Sequence, residues 1–429
     1  MKRPRLAVAL AVSSIVLVGG LAACGDDDDG GSDSGGGGGG GGAVGEVTIG
    51  ASLPLTGDLA DYGPPGEKAA NLAIAEIKKA GGQVKLETAD NETNPQGAVQ
   101  AARELIAKDV NCISGAWAST DTIPTARSVT IPEEIPLISP SSTAYDITNL
   151  DDSGTVFRTS PTDNLQGPAL ADLIEKSIGG AKGKTVNVGA RDDAYGTGFV
   201  EFFEKAWEDK GGTIGESVLY DPTQPSYNSE AQKIVSGNPD AFAIIDFPET
   251  FVKVGPALER TGKWDSTKTF ITDGLADDTL VAENAELMAG VRGTAPGTPE
   301  EGSASQAFDK AFTAAAPKDV KRQTFDAQTF DSVMLCYLGA VAAGSTDGAD
   351  IAAAITDVSG PGGKKYAWNQ LPAAIKALEN GDDIDYVGAA GELDFDENGD
   401  PSVGTYDELI VKGGAFESTG QIEASSLGG

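Results

Sequence analysis

Residues 47–89, VTIGASLPLTGDLADYGPPGEKAANLAIAEIKKAGGQVKLETA, contain the pattern that decides the fold. Val47–Leu55 is a largely apolar run that predicts a strand. The prolines at 64–65 then begin a helix, because proline is favoured in a first turn, and the glycines at 81–82 end it after Lys79. Val84–Ala89 is the next predicted strand. A strand, a helix and a strand in this order are typical of a parallel sheet covered by helices.

The same alternation of strands and helices continues along the chain. It predicts an α/β protein with two lobes, each a mostly parallel sheet flanked by helices. The further predicted strands are Cys112–Ala116, Pro136–Ser139, Thr185–Ala190, Ala241–Asp246 and Thr269–Thr272. The further predicted helices are Gln96–Lys108, Asp121–Val129, Leu165–Ile178, Thr197–Lys210, Ser229–Val235, Phe251–Thr261 and Thr329–Ala342.

The first residues carry a secretion signal. A basic start is followed by the apolar run Leu6–Val18, which is too short to span a bilayer, and then by small residues. The sequence LAAC at 21–24 resembles a bacterial lipobox, which implies cleavage before Cys24 and lipid attachment to it; an ordinary signal peptide is the alternative. We therefore assign residues 1–23 to a signal peptide and residues 24–45, rich in Asp, Ser and Gly, to a disordered linker that tethers the protein to the membrane.

The chain is strongly acidic, with 31 Lys and Arg against 65 Asp and Glu and a formal net charge of −34. Such a surface repels nucleic acid and anionic membranes, which argues against both as binding partners. We interpret the acidity as a means of keeping a secreted protein soluble.

Two cysteines remain besides Cys24. Cys112 and Cys336 form an even pair in a chain expected to be exported to an oxidising compartment. A disulfide between them and two buried thiols are both consistent with the sequence.

The sequence contains no histidine. This excludes Ser-His-Asp and Cys-His nucleophile systems and histidine-based zinc motifs, and no G-x-S-x-G elbow occurs. Asp394–Asp400 matches the first half of a calcium loop, but Thr405 occupies the twelfth position, where a bidentate glutamate is needed. We interpret that segment as a hairpin turn, and we expect no enzyme activity, no cofactor and no metal site.

Several segments together resemble the branched-chain amino acid binding proteins of ABC transporters, the leucine/isoleucine/valine type. The resemblance spans nearly the whole secreted part and rests on the order and spacing of the segments. They are Val47–Gly57 with Tyr62 and Gly63, Gly115–Thr120, Ile138–Thr143, Phe157–Gly167, Tyr195–Gly198, Gly274 and Gly391–Asp400.

The resemblance implies a type I periplasmic-binding-protein fold with three interlobe crossovers, near Ser160, Pro296 and Gly404. Because Cys336 is then assigned to the same lobe as Cys112, a bridge between them would not block lobe closure. The implied lobes are residues 46–160 with 296–403, and residues 161–295 with 404–429.

The resemblance also implies a ligand site split between the lobes. Ser119, Ser141 and Thr143 would hold the α-carboxylate of an amino acid; they follow predicted strands, and capping of the next helices is the alternative. Asp273 would pair with the α-ammonium, or serve as a turn aspartate. The other implied residues are aromatic and either line the cleft or pack in the core: Tyr62, Trp117, Tyr195 and Phe247.

The chain departs from the family pattern at two of these positions. Trp117 stands where an aliphatic residue would leave room, and Phe247 replaces a tyrosine. Both changes favour a smaller ligand, or a flat one that stacks, over a leucine-type ligand.

These observations predict the extracytoplasmic solute-binding component of an ABC transporter, anchored to the cell membrane as a lipoprotein. It would close on a small amino-acid-like ligand and dock, as a monomer, on a membrane permease. Two alternatives remain. The same fold could bind urea, a short amide or an aromatic acid, or the protein could be a sensory lipoprotein without transport.

Overall fold

The computed structural model describes residues 44–299 and 303–425. The predicted signal peptide, Cys24 and residues 24–43 of the predicted linker lie outside the described residues. The described part of the chain is an α/β protein with two large sheets, as the alternation predicts. None of its helices has the length and apolar character needed to cross a membrane.

The first sheet consists of five parallel strands. They are β1 (Val47–Leu53), β2 (Val84–Asp90), β3 (Cys112–Ser114), β4 (Leu137–Ser139) and β5 (Val156–Arg158). Their spatial order is β2-β1-β3-β4-β5. The last three strands are buried along their whole length, because helices cover both faces of the sheet.

Four helices alternate with these strands: α1 (Gly63–Lys79), α2 (Pro95–Ile106), α3 (Ser119–Thr125) and α4 (Tyr145–Thr148). The helix α1 has prolines in its first turn, where the missing N–H has no intrahelical partner to lose. The start of α2 is set by Asn94, whose side chain accepts the N–H of Gly97 at 2.8 Å.

The second sheet begins with five further parallel strands: β6 (Thr185–Arg191), β7 (Thr213–Tyr220), β8 (Ala241–Ile245), β9 (Thr269–Ile271) and β10 (Arg292–Pro296). The helix α5 (Asp163–Ile178) precedes β6, and the helices between these strands are α6 (Ala194–Asp209), α7 (Asn228–Ile234), α8 (Pro248–Arg260) and α9 (Asp278–Glu283). The sequence does not predict β7, because it is an edge strand whose side chains are mostly exposed.

After β10 the chain returns to the first sheet. This part contains α10 (Ser303–Ala314), α11 (Asp326–Ala343), α12 (Gly348–Val358), α13 (Leu371–Glu379) and a small parallel pair, β11 (Lys364–Ala367) and β12 (Ile384–Val387). The helix α11 packs against α1, β1 and β3. It is buried over almost its whole length, and from Val333 onward it is apolar on all sides.

The hairpin β13 (Val403–Lys412) and β14 (Ala415–Ser425) completes the second sheet. Because β13 runs antiparallel to β10, the order becomes β14-β13-β10-β9-β8-β6-β7. The chain therefore crosses between the two sheets three times, after β5, after β10 and before β13. Each lobe has a mostly parallel sheet, which confirms the predicted fold class.

A disulfide joins Cys112 in β3 to Cys336 in α11, with the two Cα atoms 5.7 Å apart. Both residues are fully buried in the core that the first sheet shares with α1 and α11. Of the two states that the sequence left open, the structure contains the disulfide.

A buried ion pair ties the first crossing to the third. The guanidinium of Arg158, at the end of β5, donates from Nε to Oδ1 of Asp400 at 2.6 Å, and the Arg158 side chain is fully buried. Asp396 holds the same turn, since its carboxylate accepts the N–H groups of Asn398 and Asp400. In the described residues, no group of three or more acidic or cysteine side chains is arranged to hold a metal ion.

Candidate functional site

Residues that follow strands of both sheets enclose a small cavity of about 10 Å³. This volume is about that of one water molecule, so the opposing walls lie close together. Seven of the eight site residues predicted from the sequence line it, and Thr143 does not. The lining residues are Leu59, Tyr62, Trp117, Ala118, Ser119, Ser141, Tyr195, Phe247, Asp273, Gly274 and Phe325.

Ser119 and Ser141 lie on the side formed by the first sheet. The N-cap of α3 is Ala118 and Ser119 is its first residue, so the alternative that Ser119 only caps this helix is wrong. Its hydroxyl oxygen instead accepts the backbone N–H of Ala144 at 3.1 Å, which leaves its proton free to donate to an anionic oxygen. The Ser141 hydroxyl donates to the Trp117 carbonyl at 2.8 Å, so its lone pairs remain available and its proton does not.

Thr143 lies outside the cavity wall and beside a buried acid. Its backbone carbonyl accepts the N–H of Asp163, the first residue of α5, at 2.9 Å. The Thr143 hydroxyl lies close to the Asp163 carboxylate, and this interaction opposes the effect of burial on the pKa of Asp163. Burial, and next the nearby Asp273 carboxylate, raise the pKa of Asp163 to about 8. Asp163 is thus a buried acid held largely in its neutral form at neutral pH.

Tyr195 and Asp273 form the wall on the side of the second sheet. Asp273 begins a single 3₁₀ turn shortly after β9. The Tyr195 hydroxyl donates to Oδ1 of Asp273 at 3.0 Å and lies 2.6 Å from Oγ1 of Thr272. Tyr195 is positioned by Asp193, which caps α6 by accepting the N–H groups of Tyr195 and Gly196.

The Asp273 carboxyl is the acidic group at the cavity itself. Burial raises its pKa to about 6, and the hydrogen bond from Tyr195 acts in the opposite direction. A carboxylate in this position is therefore costly to keep ionised. A cationic group placed beside it would lower that cost through a charge-assisted hydrogen bond.

Phe247 extends the same wall between a tyrosine and a cation. Its ring stacks on Tyr195, with centroids 5.2 Å apart and planes at 13°. The guanidinium of Arg191, the last residue of β6, lies 3.7 Å from the centre of the Phe247 ring. Arg191 also donates to Oδ2 of Asp58 at 3.2 Å, in the loop after β1. Arg191 thus connects the Phe247 ring to Asp58, which follows strand β1 of the first sheet.

A cluster of three aromatic rings closes the cavity on the side of the first sheet and α11. The Trp117 ring centre lies 6.4 Å from that of Tyr62 and 6.2 Å from that of Phe325. The Tyr62 hydroxyl lies 3.4 Å from the carbonyl oxygens of both Asp273 and Gly274. Tyr62 therefore bridges the two sides of the cavity.

Family membership follows from the sequence profile of the periplasmic binding proteins, which matches residues 46–370. The chain belongs to the periplasmic binding protein family. This periplasmic binding protein is 26% identical over 375 residues to a Leu/Ile/Val-binding protein homolog of Brucella melitensis, covering 85% of this chain and 91% of the relative. It is also 26% identical over 277 residues to a leucine-, isoleucine-, valine-, threonine- and alanine-binding protein of Pseudomonas aeruginosa, covering 63% and 72%.

The fold of this periplasmic binding protein resembles solved structures. The leucine-binding protein of Thermotoga maritima superposes with a TM-score of 0.73 at 22% identity, covering 88% of this chain and 98% of that one. At this identity the likeness concerns the fold, and it agrees with two lobes of mostly parallel sheet.

Sequence reasoning missed four residues at or beside the cavity. Arg191 could have been noticed, since it is the single charged residue of an otherwise uncharged strand. Asp163 had a weaker one, because an acid in a first helical turn is ordinarily explained by the helix dipole. Leu59 and Phe325 had none, because only the folded chain brings them to Trp117.

A larger cavity of about 610 Å³ lies against the crossing segments, with Thr159, Gly297 and Gly404 in its wall. None of the predicted site residues lines it. A buried acid and serine hydroxyls converge instead at the smaller cavity.

Proposed function

We propose that this periplasmic binding protein captures a small zwitterionic amino acid between its lobes and delivers it to an ABC transporter in the membrane. The observation that carries the proposal is the opposition of Asp273 to Ser119 and Ser141 across one small cavity. A buried acid on one wall and a hydroxyl proton on the other suit the two charges of an amino acid.

Each group has a defined part in this proposal. The Asp273 carboxylate accepts from the ligand ammonium, while the Ser119 hydroxyl, whose oxygen is already engaged by Ala144, donates to the ligand carboxylate. Ser141 has lone pairs to offer, so it suits the ammonium better than the carboxylate to which the resemblance assigned it. Thr143 does not line the cavity, so in this proposal it supports the site through Asp163 and does not contact the ligand.

Ligand-driven closure follows from the same arrangement. A zwitterion that touches both lobes binds the closed state more tightly than the open one, and that difference in affinity shifts the equilibrium toward closure. We propose that the lobes are residues 46–160 with 296–403 and residues 161–295 with 404–429, since the three crossings between the sheets lie near these boundaries.

The proposal extends to location and partners. Cleavage before Cys24 and lipidation of its sulfur would tether the domain to the membrane through the glycine-rich linker. The closed monomer would then dock on a membrane permease. Membership of a solute-binding family supports a role without catalysis, and the names of the relatives support an amino acid as the ligand.

Calorimetry on three proteins tests the proposal: the wild type, Asp273→Asn and, as a matched control, Asp278→Asn, where the aspartate is exposed and lies outside the cavity. Glycine, alanine, leucine, acetamide and benzoate serve as probes. Removing the carboxylate should weaken amino-acid binding by about 30-fold or more, since losing one partner of a buried charge pair costs about 2–5 kcal/mol. The control should bind like the wild type.

The same titrations separate the alternatives. Amino-acid binding that is equal in the wild type and Asp273→Asn contradicts the ammonium assignment. Binding of acetamide or benzoate alone would instead support the uncharged-ligand or aromatic-acid reading of the fold.

A further inference from the structure

We propose that Trp117 limits the ligand to amino acids with very short side chains, such as glycine and alanine, and rejects leucine. This inference rests on the proposed function, because it specifies which amino acids that cleft accepts. The argument concerns the position of one indole ring and what prevents it from moving.

The backbone at Trp117 is held firmly within the first lobe. Its carbonyl oxygen accepts hydrogen bonds from the hydroxyls of Ser141 and Ser142, both at 2.8 Å, and the residue is 2% exposed. Two hydrogen bonds to one carbonyl fix the residue at the point where the chain leaves β3. The ring therefore starts from a rigid base.

The indole is lodged against a glycine of α1. A Cβ atom built on Gly66 would lie 2.6 Å from Cζ2 of Trp117, closer than real carbon atoms approach, and Cδ2 of Leu53 is the next neighbour, at 3.6 Å. The ring thus already uses the room that the absence of a side chain at Gly66 provides. It cannot retreat further toward α1 to admit a ligand side chain.

Two other rings block the remaining directions. Phe325 meets the indole edge to face at 6.2 Å and 83°, and Tyr62 lies 6.4 Å away. Phe325 precedes α11 with its backbone at φ 73°, a conformation that the surrounding structure must hold in place. The three rings therefore form a closely packed wall beside the cavity.

Lobe opening does not relieve this restriction. Tyr62 and Trp117 follow strands of the first sheet, and Phe325 directly precedes α11, which packs on that sheet. Separation of the lobes widens the gap between Ser119 and Asp273, where the charged groups of the ligand lie. It leaves the three rings packed on one another, so opening adds no room for a side chain beside Trp117.

The expected selectivity is large, because a packed wall penalises every added carbon. One methylene more or less in a tight apolar pocket changes affinity by about 10- to 200-fold. We therefore expect leucine, which adds three carbons to alanine, to bind at least about 100-fold more weakly than alanine.

A ligand series on the wild-type protein provides the first test. Calorimetry with glycine, alanine, 2-aminobutyrate, norvaline and leucine adds one carbon or branch at a time. A steep loss of affinity directly after alanine supports the proposal. Leucine binding as tight as alanine binding overturns it while leaving the proposed function intact, and a wild type that binds none of the five overturns the proposed function itself.

Two substitutions then assign the effect to the indole. In Trp117→Leu, the ratio of the leucine Kd to the alanine Kd should fall at least tenfold, because the smaller side chain leaves room beside Gly66. In Trp117→Phe, which keeps a flat ring, the ratio should fall less. An unchanged ratio in a folded Trp117→Leu, verified by circular dichroism, shows that another residue sets the size limit and overturns the assignment.

Discussion

Amino-acid affinity is expected to fall about tenfold when the pH is lowered from 7.5 to 5. The reason is the pKa of Asp273, which burial raises to about 6. With that pKa, the carboxyl is about 97% ionised at pH 7.5 and about 9% ionised at pH 5. Only the ionised form offers the ligand ammonium a charged partner, so the apparent Kd rises by the ratio of these fractions, equivalent to about 1.4 kcal/mol.

The stability of the ligand-free protein should follow the opposite trend. The folded-state pKa of Asp273 lies above its ordinary value of 3.8, so the folded state binds the proton more tightly than the unfolded state does. This contribution is complete below pH 3.8 and is lost as the pH rises through about 6. Asp163, with a pKa raised to about 8, also stabilises the folded state at low pH, and its contribution is lost only as the pH rises through about 8. Ligand affinity and ligand-free stability thus change in opposite senses over one pH range.

Isothermal titration calorimetry with alanine at pH 5, 6 and 7.5 measures the effect. At pH 6, titrations in buffers of different ionisation enthalpy should also detect release of about half a proton per ligand, because binding ionises the half-protonated Asp273. Asp273→Asn has no group to titrate there, so its weak binding should be independent of pH. A wild-type Kd that is constant over this range, or an equal slope in the variant, refutes the role of Asp273.

Two further predictions concern the framework around the site. The bridge between Cys112 and Cys336 spans 224 residues. Replacing both cysteines with alanine should therefore lower the free energy of unfolding by about 5 kcal/mol, because the unfolded chain gains entropy. Urea denaturation measures this loss, and an unchanged unfolding midpoint contradicts it. Asp58→Asn removes the ionic partner that Arg191 has in the loop after β1. Because Asp58 is one-third exposed, the expected cost to the closed state is about 1 kcal/mol, or about fivefold faster ligand release by stopped flow. A release rate equal to that of the wild type excludes this contact as a latch.

The order of most strands and helices could be predicted from the sequence, because many buried strands are short apolar runs between turn residues. Val47–Leu55 was predicted as a strand and β1 covers Val47–Leu53, which is within the usual uncertainty of element ends. The strand β7 and the hairpin β13–β14 escaped prediction, since their side chains alternate between buried and exposed or are mostly exposed. The buried strands β5 and β10 were missed as well, because they are short and each contains an arginine that breaks the apolar run. Such strands are defined by their pairing with neighbouring strands, and the local amino-acid composition carries no information about that pairing.

The sequence predicted which residues line the candidate site, but it did not predict which atoms these residues contact. Residues after strand ends converge at one edge of a parallel sheet, which is why Ser119 and Asp273 line the same cavity. The partners of these side chains follow no local rule. The Ser119 hydroxyl meets Ala144 instead of capping its own helix, and Arg191 reaches Phe247 and Asp58 from the end of another strand.

By itself, the sequence determined the features that depend on composition and short-range order. These are the net charge of −34, the lack of histidine and the alternation of strands and helices. Only the tertiary structure decided the raised pKa of Asp273 and the confinement of Trp117 by Gly66 and Phe325. The physical reason is that burial and close approach arise between residues distant in the chain, so they exist only once the sheets and helices are packed.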